Sequence, residues 1–526
     1  MKTTLGRLCL SLGLLILTGL CTGRAAAQIA YTNLHNFTPL TGDGASPVGT
    51  FAQSGGTLYG ATGAGGNNGG ISSGTLYSIN LDGSNYQVIY NFTPISIPGG
   101  GGGGIPIGGG GGIPSLRRTN GVVAKDGGVI GLGGSPGTNE DGADPNGGLV
   151  LSGSTLYGTA INGGTNGYGT VFAVQTDGSD FMVLHDFSAP PDFLTNVDGI
   201  NPDAALILSG TTLYGTTREG GALGYGTVFS VNTDGTDFTV LYNFDEVGFN
   251  TLTFAYFNTD GSQPETHLAL AGNTLYGTTS YGGLNGGGSV FSLQTDGSNF
   301  QDLHDFSAYV DGEYANSLIV ANGKLYGSTS QGGPYYAGTL FSLNTDGSDF
   351  TNLYVFSYNT PGYEPYADLI LSSNILYGAT GSDPNDYAGT VFELYADGTS
   401  YTTLYTFSQE NFNYETNVDG VEPNDLILST NVLYGVASGG GFAGHGTAFS
   451  LSQFGPPPPQ LNLTVTGANL TFTWSADAPA FSLQSTPNLN PPVVWSPVVA
   501  SPVVVNGQNT VTIPTSGDQY LYRLSQ

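Results

Sequence analysis

The chain has 526 residues, with 39 acids against nine bases, a formal charge of −30 and only 9% charged residues. That balance excludes nucleic acid and anionic membrane surfaces as partners. With 39% hydrophobic residues the chain is no disordered acidic tail and holds enough apolar side chains for several cores.

Residues 1–27 run from Lys2 and Arg7 through the apolar stretch Leu8 to Leu20 to Ala25-Ala26-Ala27, the order of a secretory signal peptide. Cleavage there removes Lys2, Arg7 and Arg24 and leaves six bases and a charge of −33. A lipoprotein signal at Cys21 is disfavoured by the bulk of Leu20 before it. Both cysteines, Cys9 and Cys21, lie in this leader, so the expected mature chain has no disulfide and no thiolate ligand. No later stretch is apolar over the ~18 residues of a membrane helix, so the product is expected to be secreted or held at the cell envelope without a transmembrane segment.

The next element, Tyr31 to Phe37, reads aromatic-x-x-Leu-x-x-Phe, a short strand. Thereafter the tripeptide Leu-Tyr-Gly starts at Leu58, Leu156, Leu213, Leu275, Leu325, Leu376 and Leu433. Beyond the first interval the spacing is 50 to 62 residues, one four-stranded unit plus variable loops. In the unit 198–244 the pattern predicts strands at Ala205 to Leu208, Thr212 to Thr217, Thr227 to Asn232 and Phe238 to Phe244, the last two joined by an Asp234-Gly235 turn. No segment sustains a 3.6-residue apolar period, so helix is not expected.

The fourth-strand pattern recurs at Tyr86, Phe181, Phe238, Phe300, Phe350 and Tyr401, one copy fewer than Leu-Tyr-Gly. The missing copy is Tyr31 to Phe37, at the opposite end of the repeat. Pairing it with the last three strands closes a ring and removes two exposed edges. The expectation is an all-β chain: a seven-bladed β-propeller over residues 28–455 with strand-exchange closure, followed by a small β-sandwich. A Gly-rich insert at 93–140, holding Arg117, Arg118 and Lys125, is expected to be a mobile loop. Pro456 to Pro459 form a linker, and 460–526 alternate apolar and polar residues, with Trp474 and Trp495 expected in a core.

Leu-Tyr-Gly-(Thr/Ala)-Thr, Gly-Gly, Gly-Thr-(Val/Leu)-Phe and Thr-Asp-Gly-Ser resemble the GloVer tandem repeat of secreted bacterial proteins over about residues 31–452. That resemblance implies location and architecture, and no reaction. The plan is also similar to kelch-type propellers, without the kelch tryptophan, and the tail resembles a fibronectin-III-like domain.

Candidate chemistry gathers in the loops. Asp-Gly segments at Asp43, Asp141, Asp198, Asp260, Asp311 and Asp419 are read first as turn-forming residues. Among them Glu140, Asp141 and Asp144 form the densest carboxylate group, and Ca²⁺ is the cofactor such oxygens would take. Three histidines, His35, His185 and His304, fill a fourth-strand slot held elsewhere by Tyr90, Tyr242, Tyr354 and Tyr405, so they are read as structural.

His267 precedes the innermost strand of its blade, where Asp368 and Asp425 stand in blades six and seven and Thr50, Gly148, Ala205 and Ser317 in the others. These three are the catalytic candidates if the protein is an enzyme, although their separation across a channel is expected to prevent joint action. Ligand-binding candidates are loop rings, which stack on sugars or peptides: Tyr168, Tyr225, Tyr281, Tyr335, Tyr336, Tyr387 and Phe442, with His445. The leading expectation is a monomeric, non-catalytic binding or surface module for extracellular glycan or protein. A polysaccharide lyase or hydrolase and a structural envelope or matrix protein are the alternatives.

Overall fold

The computed structural model describes residues 29–38, 42–66, 73–96, 137–191, 195–250, 255–360, 362–382, 388–409 and 416–452, and, in the tail, 461–466, 469–475, 482–486, 496–498, 500, 502–505, 508–514 and 521–525. The leader 1–27, residues 97–136 of the Gly-rich insert, Arg117, Arg118, Lys125, Tyr387, the Pro456–Pro459 linker and Trp495 lie outside them. Among the described residues every regular element is a β-strand. Two compact units are formed, one of Tyr31–Ser429 and Leu433–Leu451, the other including Ser452–Gln526.

In the larger unit the motifs become strands for a local reason. Thr212–Thr217 pairs antiparallel with Thr227–Asn232 and sets Gly215 opposite Phe229. A Cβ on Gly215 would lie 2.6 Å from Phe229 Cζ, so only glycine lets that ring lie flat across the neighbouring strand. Gly158 stands in the same way over Phe172 and Gly327 over Phe341. Leu-Tyr-Gly and Gly-Thr-Val-Phe are thus two halves of one packing unit. At the hairpin, Asp234 Oδ1 accepts from the Thr236 amide at 3.0 Å, and Gly235 takes φ 83°. The middle two strands fall where the pattern puts them. The first is shorter and later than expected, Ile207–Ser209 rather than Ala205 to Leu208, because the chain before it turns towards the loops and pairs only from Ile207 onward.

Among the described residues seven sheets follow this plan, the first six with their strands in chain order. The sixth splits its first strand into Tyr363–Pro365 and Ile370–Ser372, which both pair with Ile375–Ser382. In the seventh, Val421–Ser429, Val432–Gly439 and Thr447–Ser452 are completed by Ala30–Asn36 from the other end of the repeat. Main-chain bonds from Phe37 N to Gly446 O (3.1 Å) and Ser46 N to His445 O (2.9 Å) fasten that strand and the segment after it.

Successive sheets share apolar layers. Tyr157, Val171 and Phe187 of the second meet Leu206, Leu213 and Phe229 of the third, and Tyr214, Val228 and Phe244 meet Leu268, Leu275 and Phe291 of the fourth. Each such buried ring or aliphatic chain is worth about 1.5–3 kcal/mol.

Outside these layers runs a series of stacked rings: His35 on Tyr86, Tyr90 on Phe181, His185 on Phe238, Tyr242 on Phe300, His304 on Phe350, Tyr354 on Tyr401 and Tyr405 on Tyr31, with centroids 3.5–4.8 Å apart. Each pair joins one sheet to the next, and the last two sheets meet through the N-terminal strand.

The smaller unit has two antiparallel sheets. One contains Asn462–Thr466, Asn469–Ser475, Gln508–Pro514 and Val503–Val505; the other contains Ser496–Pro497, Ser482–Thr486 and Leu521–Ser525. Phe472, Trp474, Leu483 and Val511 form its buried core, as expected for Trp474.

Candidate functional site

The residues just before the buried Phe51, Leu149, Leu206, Leu268, Leu318, Leu369 and Leu426 are Thr50, Gly148, Ala205, His267, Ser317, Asp368 and Asp425. The structure brings the three ionisable ones together, correcting the expectation that they stand too far apart. His267 Nδ1 lies 3.1 Å from Asp368 Oδ1. Thr50 Oγ1 donates to Asp368 Oδ2 at 3.3 Å, and the Asp368 amide donates to Asp425 Oδ1 at 3.0 Å. Ser317 Oγ accepts from the Leu369 amide at 2.9 Å. Side chains from the first, fourth, fifth, sixth and seventh sheets therefore converge on Asp368 and its neighbour.

Burial alone would lower the His267 imidazole. The Asp368 carboxylate and its hydrogen bond, Asp425 and the Leu318 backbone outweigh burial and raise the pKa to about 9. The shift favours the protonated imidazole at neutral pH, the form that pairs with a carboxylate rather than the form that accepts a proton. In that form the His267–Asp368 contact is an ion pair that joins the fourth and sixth sheets. A depression of about 320 Å³ lies elsewhere, lined by Gly56, Thr57, Asn80, Leu81 and Asp82 at the hairpin end of the first sheet.

The loop carboxylates are occupied by the fold. Asp141 Oδ2 accepts from Tyr90 Oη and the Thr93 amide, both at 2.9 Å, and Oδ1 accepts from Thr93 Oγ1. Asp198 pairs with His185 Nε2 at 3.0 Å, Asp43 with His35 at 3.0 Å and Asp311 with His304 at 2.8 Å. Tyr242 and Tyr405 reach Asp260 and Asp419 in the same way, at 2.8 and 2.7 Å. Each Asp thus anchors the ring of the preceding sheet as well as its own turn. Sequence reasoning saw the shared His/Tyr slot but not its partner, although the signal was present: an Asp-Gly follows most of those slots.

Of the other Ca²⁺ candidates, Asp144 accepts from Asn162 Nδ2 at 2.7 Å, and burial raises its pKa. Glu140 is exposed. Among the described residues no group of three or more His, Cys, Asp or Glu side chains is arranged to hold a metal ion.

The loop aromatics divide into two groups. Tyr168 and Tyr225 are half-buried against the cores of the second-to-third and third-to-fourth junctions. Tyr281 is half-buried, edge-to-face with Tyr314 at 5.0 Å, and His445 is also half-buried. These rings cover their own fold. Tyr335, Tyr336 and Phe442 are 59%, 53% and 69% exposed, and they are joined by Tyr309 and Tyr358, which the sequence did not single out.

One further cluster was not anticipated. Arg218 Nε lies 2.8 Å from Glu265 Oε1 and 3.7 Å from Glu219 Oε1, in a slot where other sheets carry Ser280, Ser330 and Ser438. Burial raises the Glu219 pKa, Arg218 opposes it and Glu265 adds to it.

Residues 133–252 and 246–449 match the Gloeobacter/Verrucomicrobia repeat, more than half of the chain. No curated protein matches the chain. Among solved structures, oligogalacturonate lyase from Vibrio parahaemolyticus is 10% identical over 81% of this chain and 94% of its own, with TM-score 0.44. The computationally designed Ika8 protein is 12% identical over 82% and 94%, with TM-score 0.37. The gluconolactonase XC5397 from Xanthomonas campestris is 15% identical over 60% and 88%, with TM-score 0.34. Likeness at this level carries no argument about chemistry. Among the described residues no helix is long and apolar enough to cross a membrane.

Proposed function

The chain belongs to the Gloeobacter/Verrucomicrobia repeat family, and on that footing we propose that it is an exported, non-catalytic binding module. Its larger unit is a seven-bladed β-propeller closed by strand exchange, which presents one face of loops to extracellular glycan or protein. Closure is supported by the N-terminal strand in the seventh sheet and by ring stacks that run from each sheet to the next and return from His35 to Tyr86. The small tail unit is read as a fibronectin-III-like sandwich.

The observation that carries the binding reading is the exposure of large apolar side chains along the loops. Val197, Leu223, Leu284, Val310, Val418 and Phe442 are 43–81% exposed, where a monomer gains nothing from leaving them in water. They stand in two repeated places, next to the Asp-Gly turn or after the Gly-Gly pair, so the surface is periodic. The test is a glycan array and a pull-down from extracellular matrix with purified mature protein. Specific retention supports the reading, and its absence on both overturns it.

A second reading, a polysaccharide-acting enzyme, draws on the 3.1 Å His267–Asp368 contact. Release of reducing ends or unsaturated products that is lost in His267→Ala would favour it over a binding module.

A further inference from the structure

We propose that the exposed tyrosines around the fifth sheet, Tyr309, Tyr335, Tyr336 and Tyr358, form the site at which this protein stacks on an uncharged polysaccharide. The inference deepens the binding reading above and rests on it.

In four other sheets the loop between second and third strands has glycine at one left-handed position: Gly167, Gly224, Gly286 and Gly444, with φ of 78–89°. The register is fixed by bridges between the residues on either side, Gly163 with Tyr168, Gly220 with Tyr225, Gly282 with Gly287, Gly332 with Ala337 and Gly440 with His445. On the fifth sheet that position is Tyr336, at φ 60°. A bulky residue is an outlier in this region, and its backbone cost persists where something else is gained.

The ring itself stands largely at the surface. Tyr336 is 53% exposed, and the next residue, Ala337, is fully buried in the slot where Tyr168 and Tyr225 cover their cores. The fifth sheet has therefore moved its aromatic ring from the covering position to the exposed one.

Three further tyrosines meet it there. Tyr309 lies edge-to-face with Tyr336, with centroids 5.8 Å apart and planes at 86°. Tyr358 Oη donates to Tyr336 O at 2.9 Å, and the Tyr336 amide donates to Gly333 O at 3.1 Å, so the strained turn is held from both sides. Tyr335 is 59%, Tyr309 70% and Tyr358 50% exposed. Rings half or more exposed suit the flat C–H face of a pyranose, and the phenol oxygens suit its hydroxyls. A protein anchor would instead call for a pocket closed to water.

Charge selects among sugars. In the larger unit the lysine and arginine side chains among the described residues are Arg218, already paired with Glu265, and Lys324, at the opposite end of the fifth sheet, while His267 is paired with Asp368. Neither of those two side chains is thus offered beside the tyrosines to a uronate or sulfate, and the whole chain is strongly acidic. An uncharged glycan is the ligand class that remains.

The experiment is affinity electrophoresis of the full mature chain through native gels containing barley β-glucan, xyloglucan, galactomannan or, as the anionic probe, polygalacturonate. Retardation by at least one neutral polymer and none by polygalacturonate is expected. Tyr336→Gly should weaken binding about tenfold or more, equivalent to ~1.4 kcal/mol of lost stacking, while its melting temperature stays level or rises because glycine relieves the turn. Tyr309→Ala should weaken binding similarly. Tyr395→Ala, at the far hairpin end, should leave it within twofold.

Glycan binding undiminished in Tyr336→Gly overturns the platform and spares the binding reading. Retention of a protein but of no polysaccharide does the same. A fall in the melting temperature of Tyr336→Gly also overturns the proposal, because the ring would then be structural. Absence of binding to any glycan or protein overturns both readings.

Discussion

Raising the pH should loosen the larger unit through His267. Its imidazole is raised from 6.5 in the unfolded chain to about 9 in the fold, so the protein favours the protonated form more strongly when folded. The resulting stability is fully present below pH 6.5 and disappears as pH rises through about 9. Between 6.5 and about 9, at ~1.36 kcal/mol for each tenfold change in proton affinity, the full effect is ~3 kcal/mol.

The groups facing the ring are Asp368 and Asp425, with Thr50 hydrogen-bonded to Asp368. Asp368→Asn keeps the shape and removes the carboxylate that contributes most of the rise. In that variant burial should dominate, the imidazole should be neutral at pH 7, and the stability lost between pH 6.5 and 9.5 should shrink by about 2 kcal/mol or more. The assay is urea unfolding at a series of pH values, followed by tyrosine fluorescence, with NMR titration of the His267 ring as an independent measure. A wild-type ring that titrates at or below 6.5, or an equal pH loss in both proteins, would refute the reasoning.

Other perturbations address the rest of the architecture. Deleting residues 28–38 removes the strand Ala30–Asn36 and the buried Phe37, leaving the seventh sheet with an open edge; unfolding or oligomerisation by size-exclusion chromatography is expected, and a monomer with an unchanged melting temperature would reject ring closure. Gly215→Ala places a Cβ 2.6 Å from Phe229 Cζ and should cost about 1–3 kcal/mol by chemical denaturation. Neither Ca²⁺ nor a chelator should move the melting temperature of the larger unit, since the Asp141 oxygens are already used by Tyr90 and Thr93; a rise of several degrees on adding Ca²⁺ would show a site these contacts do not reveal.

What the sequence determined by itself is what repeats and what is local. Leu-Tyr-Gly, Gly-Thr-Val-Phe and the Asp-Gly turns specify strand, partner strand and hairpin within a few dozen residues, because a glycine opposite a phenylalanine and a positive φ are short-range requirements. The supply of an unmatched fourth strand at Tyr31 to Phe37 was legible for the same reason, as a count of patterns. Strand length was less so: in the third sheet the first strand begins only at Ile207 and not at Ala205, whereas in the first, fifth and seventh sheets it reaches back to Ala45, Glu313 and Val421.

Only the tertiary structure decided which distant groups meet. Asp368 is 101 residues from His267 and 57 from Asp425 in sequence, and no periodicity states that sheets six, four and seven converge at one point. The same holds for the loop rings: Tyr168 and Tyr336 look alike as exposed turn residues, yet one covers a core and the other projects from it. The difference is a one-residue shift against a left-handed position, and a shift of that size exchanges buried for exposed because successive residues face opposite ways.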